Sequence, residues 1–565
     1  MNIKIDQVLD QLDEAKSNLG SSDGQKVLAL FSRLRQANFR EAQSLIRFHE
    51  LLLFLRAYPQ SARILKLTEA LLQNFPEQVS KLIATGADVS AFDDPEVSGI
   101  AGSSVSDTFT YNITRWLLRR HPSQVLFDWD WFEDENRLAE TWPRFMPLLE
   151  EDGSVEANVP YVSWLRAARN GKRELSWLIE RFARLPVSDK EKAELYDSQQ
   201  LYVRWTPIYR ATRTGMRLPI RHVFYHRDAL IARRDVRFSD ELAKSPPRLL
   251  RLSRTQGRKI LDMARETSTL RYRELYGFTH GDEDRVFRTN LGRGVDLFLC
   301  GVPAERRLPI RAYHAAMIFK NGVPVGYFEG LSLFERMESG FNFYYSFREG
   351  ETAWIYARTL NVFRHLLGVT AFSIDPYQIG FENDEGIESG AFWFYRKLGF
   401  RPVRRDLLQL TEKEEARIAR RGSYRTPYSV LRELAAGPMI FELDRSQTGD
   451  WDRFSVRNIG LEVQRRMAKR YQGNAAKIRK ESVESISDTL GIRRNVLNNG
   501  ERVALNDLAL VLSLISDLRA WTRREQQQIV SIIRAKGGAD EARYLKLMQK
   551  HPRLRRAIIK LGSGT

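Results

Sequence analysis

The stretch GAFWFYRKLGFRPV, residues 390–403, decides how the centre of the chain is read. Together with Ile387, the residues Ala391, Phe394, Tyr395 and Leu398 recur at helical spacing, which predicts one apolar helix face. Lys397 falls in the last turn, where a cation meets the negative end of the helix dipole. Gly399 suits the left-handed conformation that stops a helix, and Phe400 then folds back onto it. Phe392 and Trp393 lie off the stripe and predict contact with a second surface. Of the four adjoining aromatics, Tyr395 alone joins a core-facing position to a hydroxyl that can act as a positioned acid.

Outward from this helix, strand patterns surround it. VDLFLCGV (295–302), RAYHAAMIFKNG (311–322) and VPVGYFEGLSLF (323–334) are rich in β-branched and aromatic residues. Asn321-Gly322 predicts a two-residue hairpin turn. RMESG is expected to turn the chain into a further strand, FNFYYSF (341–347). A helix, ETAWIYARTLNVFRHLLG (351–368), ends at Gly368 and leads to a buried strand, VTAFSIDP (369–376), stopped by Pro376. After the loop YQIGFENDEG and the helix first quoted comes PMIFELD (438–444). The expected order is β-β-β-β-α-β-α-β, a mixed sheet with helices.

The helix end Tyr395-Arg396-Lys397-Leu398-Gly399-Phe400, with Ala391 four residues before the tyrosine, follows this element order. On those features residues ~295–444, about a quarter of the chain, resemble the GNAT superfamily of acyl-CoA-dependent N-acyltransferases. The resemblance implies that Tyr395 protonates the leaving thiolate of coenzyme A. It also implies a pyrophosphate site at a strand-to-helix turn of the form Arg/Gln-x-x-Gly-x-Gly/Ala. Unpaired N–H groups and the positive dipole end make such a turn an anion site. In SFREGETAW (346–354) the candidates for holding acyl-CoA are Arg348, Gly350, Thr352 and Ala353. The sequence departs from the pattern there: Glu351 takes the first glycine's place, Gly350 is shifted one residue earlier, and Glu349 and Glu351 put carboxylates next to the expected phosphate. Read from the residues alone, Glu351 and Thr352 begin a helix with acid in its first turn. The position seven before the tyrosine, an asparagine in many members, is Glu388, and the nearest asparagine is Asn383. A general base must take a proton from the attacking amine; Glu329, Asp375 and Glu388 are the candidates. His314 and His365 read as packed side chains.

The flanks are helical. Residues 1–200 form amphipathic helices, among them KVLALFSRLRQANFREAQSLIRFHELLLFLRAYP and SARILKLTEALLQNFPEQVSKLIATG, in the style of stacked repeats without a fixed period. GIAGSSVSDTF (99–109) reads as a loop. In FDWDWFEDE (127–135), Asp128-x-Asp130 could be a metal carboxylate pair, but a tryptophan-anchored loop is the favoured reading. Residues 201–245 read as a basic extended connector, in which His222 and His226 lack a third metal ligand. The expected division is a helical domain (1–200), the connector, a GNAT-like domain (246–445) and a basic helical bundle (451–565). The fold class is α+β.

Charge is unevenly spread. Of the net +18, an excess of 13 falls from Trp451 onward, where 24 Lys+Arg face 11 Asp+Glu. Such a tail predicts a polyanionic partner or a solvated helical surface. The single cysteine, Cys300, excludes a disulfide framework and a cysteine-rich zinc site within one chain, and no metal is expected. No apolar run is long enough to span a membrane and the start carries no secretory pattern, so a cytoplasmic protein is expected. The leading expectation is N-acyl transfer from acyl-CoA to an amine of a large acceptor, such as a protein or RNA. Two alternatives stand beside it: aminoacyl or peptidyl transfer from charged tRNA, suited to the basic segments, and an inactive GNAT-fold scaffold or nucleic-acid-associated interaction protein.

Overall fold

The structure, a computed structural model, describes residues 5–17, 21–132, 137–138, 141–145 and 161–564. Residues 133–135 of the acidic FDWDWFEDE stretch lie outside this set. The architecture is α+β. Helices flank a nine-stranded mixed sheet, and a second sheet of three short strands lies apart from it in the topology.

The small sheet comprises β1 (Val105–Asp107), β2 (Val125–Phe127) and β3 (Val203–Trp205), in the order β1-β3-β2. It corrects the all-helical expectation for residues 1–200. Strands of three residues are too short to register as a period of two; Val105 and Val125 both pair with the fully buried Trp205. A separate apolar core, running from Val105 to Met216 with Leu270, lies around this sheet. The helices between Ile5 and Ala84 instead share one core with the large sheet and the C-terminal helices.

The large sheet contains β4 (Leu250–Arg251), β5 (Val286–Gly292), β6 (Val295–Cys300), β7 (Ala312–Lys320), β8 (Val323–Leu333), β9 (Arg336–Phe343), β10 (Ala371–Ile374), β11 (Arg401–Pro402) and β12 (Met439–Glu442). Its order is β11-β12-β10-β9-β8-β7-β6-β5-β4. Strands β4 to β9 form an antiparallel meander, β10 lies parallel to β9, and β12 and β11 return antiparallel. The β7–β8 hairpin turns on Asn321 and Gly322, both at positive φ as a two-residue turn requires. Strand β5 was not foreseen because its exposed face, with Arg288 and Asn290, dilutes the apolar signal.

Two boundaries differ from expectation. RMESG is not a turn: it is the first half of β9, whose Met337 and Ser339 alternate inward, and the turn is Phe334-Glu335 before it. Residues 345–347 form a short 3-10 turn rather than strand. The helix first quoted is broken in two, Asp384–Glu388 and Ala391–Lys397, because Gly390 adopts φ 68° between them. Gly399 takes φ 100°, and the Phe400 N–H returns to the Tyr395 carbonyl at 3.2 Å.

Helix Thr352–Leu367 packs across the sheet, Phe363 on Phe328 and Tyr356 on Phe341, and ends at a left-handed Gly368. The β8–β9 turn is held from far along the chain. Glu335 accepts hydrogen bonds from Trp451 Nε1 at 2.7 Å and from the Arg555 guanidinium at 2.6–3.0 Å. Among the described residues no helix is long and apolar enough to cross a membrane.

Candidate active site

Strands β9 and β10 run side by side only where Arg336–Glu338 faces Ala371–Ser373. Beyond Ile374 comes Asp375-Pro376, and proline has no N–H to carry the ladder on. The Asp375 carboxylate accepts the Tyr377 N–H at 3.0 Å and turns the chain into a 3-10 turn, Pro376–Ile379. Strand β9 continues to Phe343, paired through Ser339–Phe343 with β8 alone. The two strands therefore part, and a cavity of about 570 Å³ opens over Gly340–Phe343. Tyr377, Gln378, Phe394, Tyr395 and Arg273 close its other sides.

Tyr395 lines this cavity. Its ring is wedged against Tyr356 and Phe400 at 5.7 and 5.6 Å, leaving it 3% exposed. Its hydroxyl has no hydrogen-bond partner among the described residues, and burial pushes it above the ordinary phenol value. It therefore keeps its proton throughout the neutral range. Glu329, on β8, lines the same cavity. Burial pushes its carboxyl up, against a hydrogen bond from the Tyr313 hydroxyl that favours the charged form. Tyr313 in turn accepts the Gly277 N–H at 2.9 Å, which fixes the direction of its own proton.

Of the residues expected to hold a cofactor, Arg348 and Thr352 line the cavity and Gly350 and Ala353 do not. Gly350 is packed against the N-terminal helices: a Cβ there would sit 2.3 Å from Tyr58 Oη. Ala353 is buried in the core. The backbone N–H groups of Thr352, Ala353 and Trp354 have no backbone acceptor among the described residues, as expected of a first helical turn. Glu351 does not oppose an anion there. Its carboxylate is turned away, fully buried, and paired with Lys320 at 3.0 Å and with Arg293 at 2.5 Å. Those partners outweigh burial and hold it below its ordinary value, while burial brings Lys320 down to about 8. Glu349 is likewise drawn off, to Lys16 at 2.7 Å. Of Thr352, Ala353 and Trp354 only Thr352 lines the cavity, so the helix start offers an anionic group there one amide, beside Arg348. The Arg348 guanidinium is engaged by Glu385 at 2.6 Å and Glu96 at 3.5 Å, so a phosphate would have to exchange with a carboxylate. Arg273 also binds Glu385, at 2.6 Å, and can retain it when Arg348 is released.

Asp375 is spent as a cap and does not line the cavity; Glu388 lies elsewhere, on a second cleft. That cleft, of about 830 Å³, lies between the N-terminal helices and the sheet domain and meets the cavity at Arg348, Glu385 and Ser389. Nine carboxylates line it, including Asp13, Glu41, Asp94 and Glu349, against three cations, Lys16, Arg47 and Arg348. On a chain of net +18 this is a local inversion of charge.

Sequence reading missed Tyr313, Arg273, Glu385 and Glu96. The first was within reach: the Asn321-Gly322 turn sets the β7–β8 register and brings position 313 near Glu329. The others come from loops and helices whose meeting depends on tertiary packing. Asp128 and Asp130 both bind Arg204, at 2.5 and 2.9 Å, and form a clamp on β3. His226 is buried against Tyr58 and Phe224 rings.

No family model matches the chain, and neither a curated protein nor a solved structure matches it.

Proposed function

We propose that the chain is an N-acyltransferase whose donor is an acyl-CoA and whose acceptor is a cationic amine. The observation that carries this reading is the parting of β9 and β10 around a cavity lined by both Glu329 and Tyr395. The antiparallel meander, the single parallel pair and the helices that follow each of its strands agree with the GNAT resemblance of residues ~295–444.

The thioester would supply an activated acyl carbon in the cavity. Glu329 takes the proton from the amine nitrogen as the new C–N bond forms. Tyr395 gives its proton to the sulfur as the C–S bond breaks. Tyr313 holds Glu329 in place, and its hydrogen bond favours the carboxylate form against the effect of burial. The first-turn amide of Thr352, with Arg348, offers the site for the anionic end of the donor.

The acidic cleft supports a positively charged acceptor, since its carboxylates raise the local concentration of cations at the cavity edge. The same carboxylates weigh against charged tRNA as the donor, because its phosphate backbone would meet them at close range. The test is release of free thiol from acetyl-CoA in the presence of polyamines and lysine-rich peptides. Absence of turnover together with absence of calorimetric heat at millimolar acetyl-CoA would leave the inactive-scaffold alternative in its place.

A further inference from the structure

A third cleft lies in the C-terminal bundle, shares no lining residue with the cavity or the acidic cleft, and is electrically their opposite. It measures about 620 Å³ and runs between helices Val456–Tyr471 and Ala475–Leu490 and the turn after helix Asn499–Leu512. Five cations line it, Arg465, Arg466, Lys469, Arg470 and Arg519, against one carboxylate, Glu462. Glu462 reaches Arg465 at 3.4 Å, and Arg466 is tied to the Ser513 carbonyl. Lys469, Arg470 and Arg519 are exposed and have no carboxylate partner among the described residues. In the sheet domain, by contrast, Arg273, Arg293, Arg348 and Arg401 each hold at least one carboxylate.

The arrangement has three features of an anion track. Arg465 and Lys469, and likewise Arg466 and Arg470, stand four residues apart, so successive charges follow one another by a rise of ~6 Å along the helix. That step is comparable to the spacing of phosphates along a strand. The Ser516 N–H, in the turn Ser513–Asp517, has no backbone acceptor among the described residues and lies in the cleft wall. The wall also carries the Ser485 and Ser516 hydroxyls, beside the mostly buried Ile486, Leu512, Leu514 and Leu518. Hydroxyls and unpaired cations suit phosphate oxygens, and a cleft of about 620 Å³ has room for one strand and not for a duplex.

We infer that this cleft binds the phosphodiester backbone of a single-stranded nucleic acid. The site is independent of acyl transfer and tethers the protein to its partner through the C-terminal bundle.

The test uses the full chain and a fluorescent single-stranded RNA 20-mer, with DNA of the same sequence, a duplex, polyglutamate and phosphatidylserine vesicles as competitors. The triple variant Lys469→Gln/Arg470→Gln/Arg519→Gln is compared with a charge-matched control on and just after helix Glu541–Gln549, Arg543→Gln/Lys546→Gln/Lys550→Gln. The expected result is a loss of RNA affinity of tenfold or more at 150 mM salt in the first variant only. Its slope of log Kobs on log salt should flatten by about 2, from ~0.7 for each lost phosphate contact. Far-ultraviolet circular dichroism and melting establish that both variants are folded. Equal losses in the two variants would assign binding to diffuse net charge and overturn the inference. So would stronger competition by vesicles, polyglutamate or duplex than by single strands. Equal competition by RNA and DNA supports a backbone-only site, and preference for RNA adds contacts to the 2′-hydroxyl.

Discussion

The Tyr313 hydroxyl donates a hydrogen bond to Glu329 across neighbouring strands, from a position two residues along β7 from Ala315, the direct partner of Glu329. Residues two apart share a sheet face, so this is a diagonal pair with long side chains in reach of one another. Burial raises Glu329, and the phenol moderates the rise. If Glu329 is the base, kcat/KM rises with pH through one ionisation above the ordinary carboxylate value of 4.5. In Tyr313→Phe that limb moves further up, while the rate on the plateau changes little. A limb that stays in place removes Glu329 from the mechanism.

Tyr395→Phe keeps the ring packing against Tyr356 and Phe400 and removes only the hydroxyl. Turnover, read as thiol release, should fall about 10²-fold or more, with melting temperature nearly unchanged. Restoration by donors with better leaving thiols is the signature of a lost acid.

Gly340 faces the gap where the strands part. A Cβ there meets nothing nearer than Gln378 Nε2 at 3.8 Å. Gly340→Ala is therefore expected to fold normally, whereas Gly340→Leu fills the cavity and abolishes donor binding without comparable loss of stability. Calorimetry with acetyl-CoA distinguishes the two.

Glu351→Gln separates a folding role from a ligand role. Lys320 and Glu351 are both fully buried, and removing one charge strands the other, at a cost of about 3–5 kcal/mol. Chemical denaturation should register this loss. The KM for the donor should stay the same in the folded fraction. A marked fall in KM would mean that Glu351 had been facing the anion after all.

Acid stability should report Glu50. Burial would raise its carboxyl, but the Arg213 charge and hydrogen bonds from His49 and Ser346 outweigh burial and hold it at about 2. A lowered native value stabilises above the unfolded value of 4.5 and is lost as pH falls from there toward 2. At ~1.36 kcal/mol per pKa unit the contribution is about 3 kcal/mol. Glu50→Gln should flatten the fall in stability between pH 5 and 2.

Much of the centre of the fold was legible. Short turns and helix stops are local events, and Asn321-Gly322, Gly368 and Gly399 each require a backbone conformation that few other residues adopt. Pro376 likewise marked the end of β10, and with it the place where the cavity opens. Tyr395 and Glu329, singled out by their own chemistry, both line the cavity. The site was not legible where identity depended on a partner far along the chain. Glu351 stood in a phosphate-binding pattern, yet Lys320 and Arg293 turn it the other way. Asp375 had the chemistry of a base, but the adjacent Tyr377 amide takes its carboxylate. The break at Gly390 escaped a pattern that scores apolar spacing and not backbone handedness.

The clasp between Glu335 and Arg555 joins residues 220 positions apart. The β8–β9 turn it secures leads directly into the strand that forms one wall of the cavity. During synthesis the sheet domain emerges from the ribosome long before its anchor. Until Arg555 follows, the Glu335 carboxylate in that turn lacks its main counter-charge. The β8–β9 hairpin is therefore complete well before the residue that clamps its turn, and the sheet domain gains this contact only once the last helix has been made.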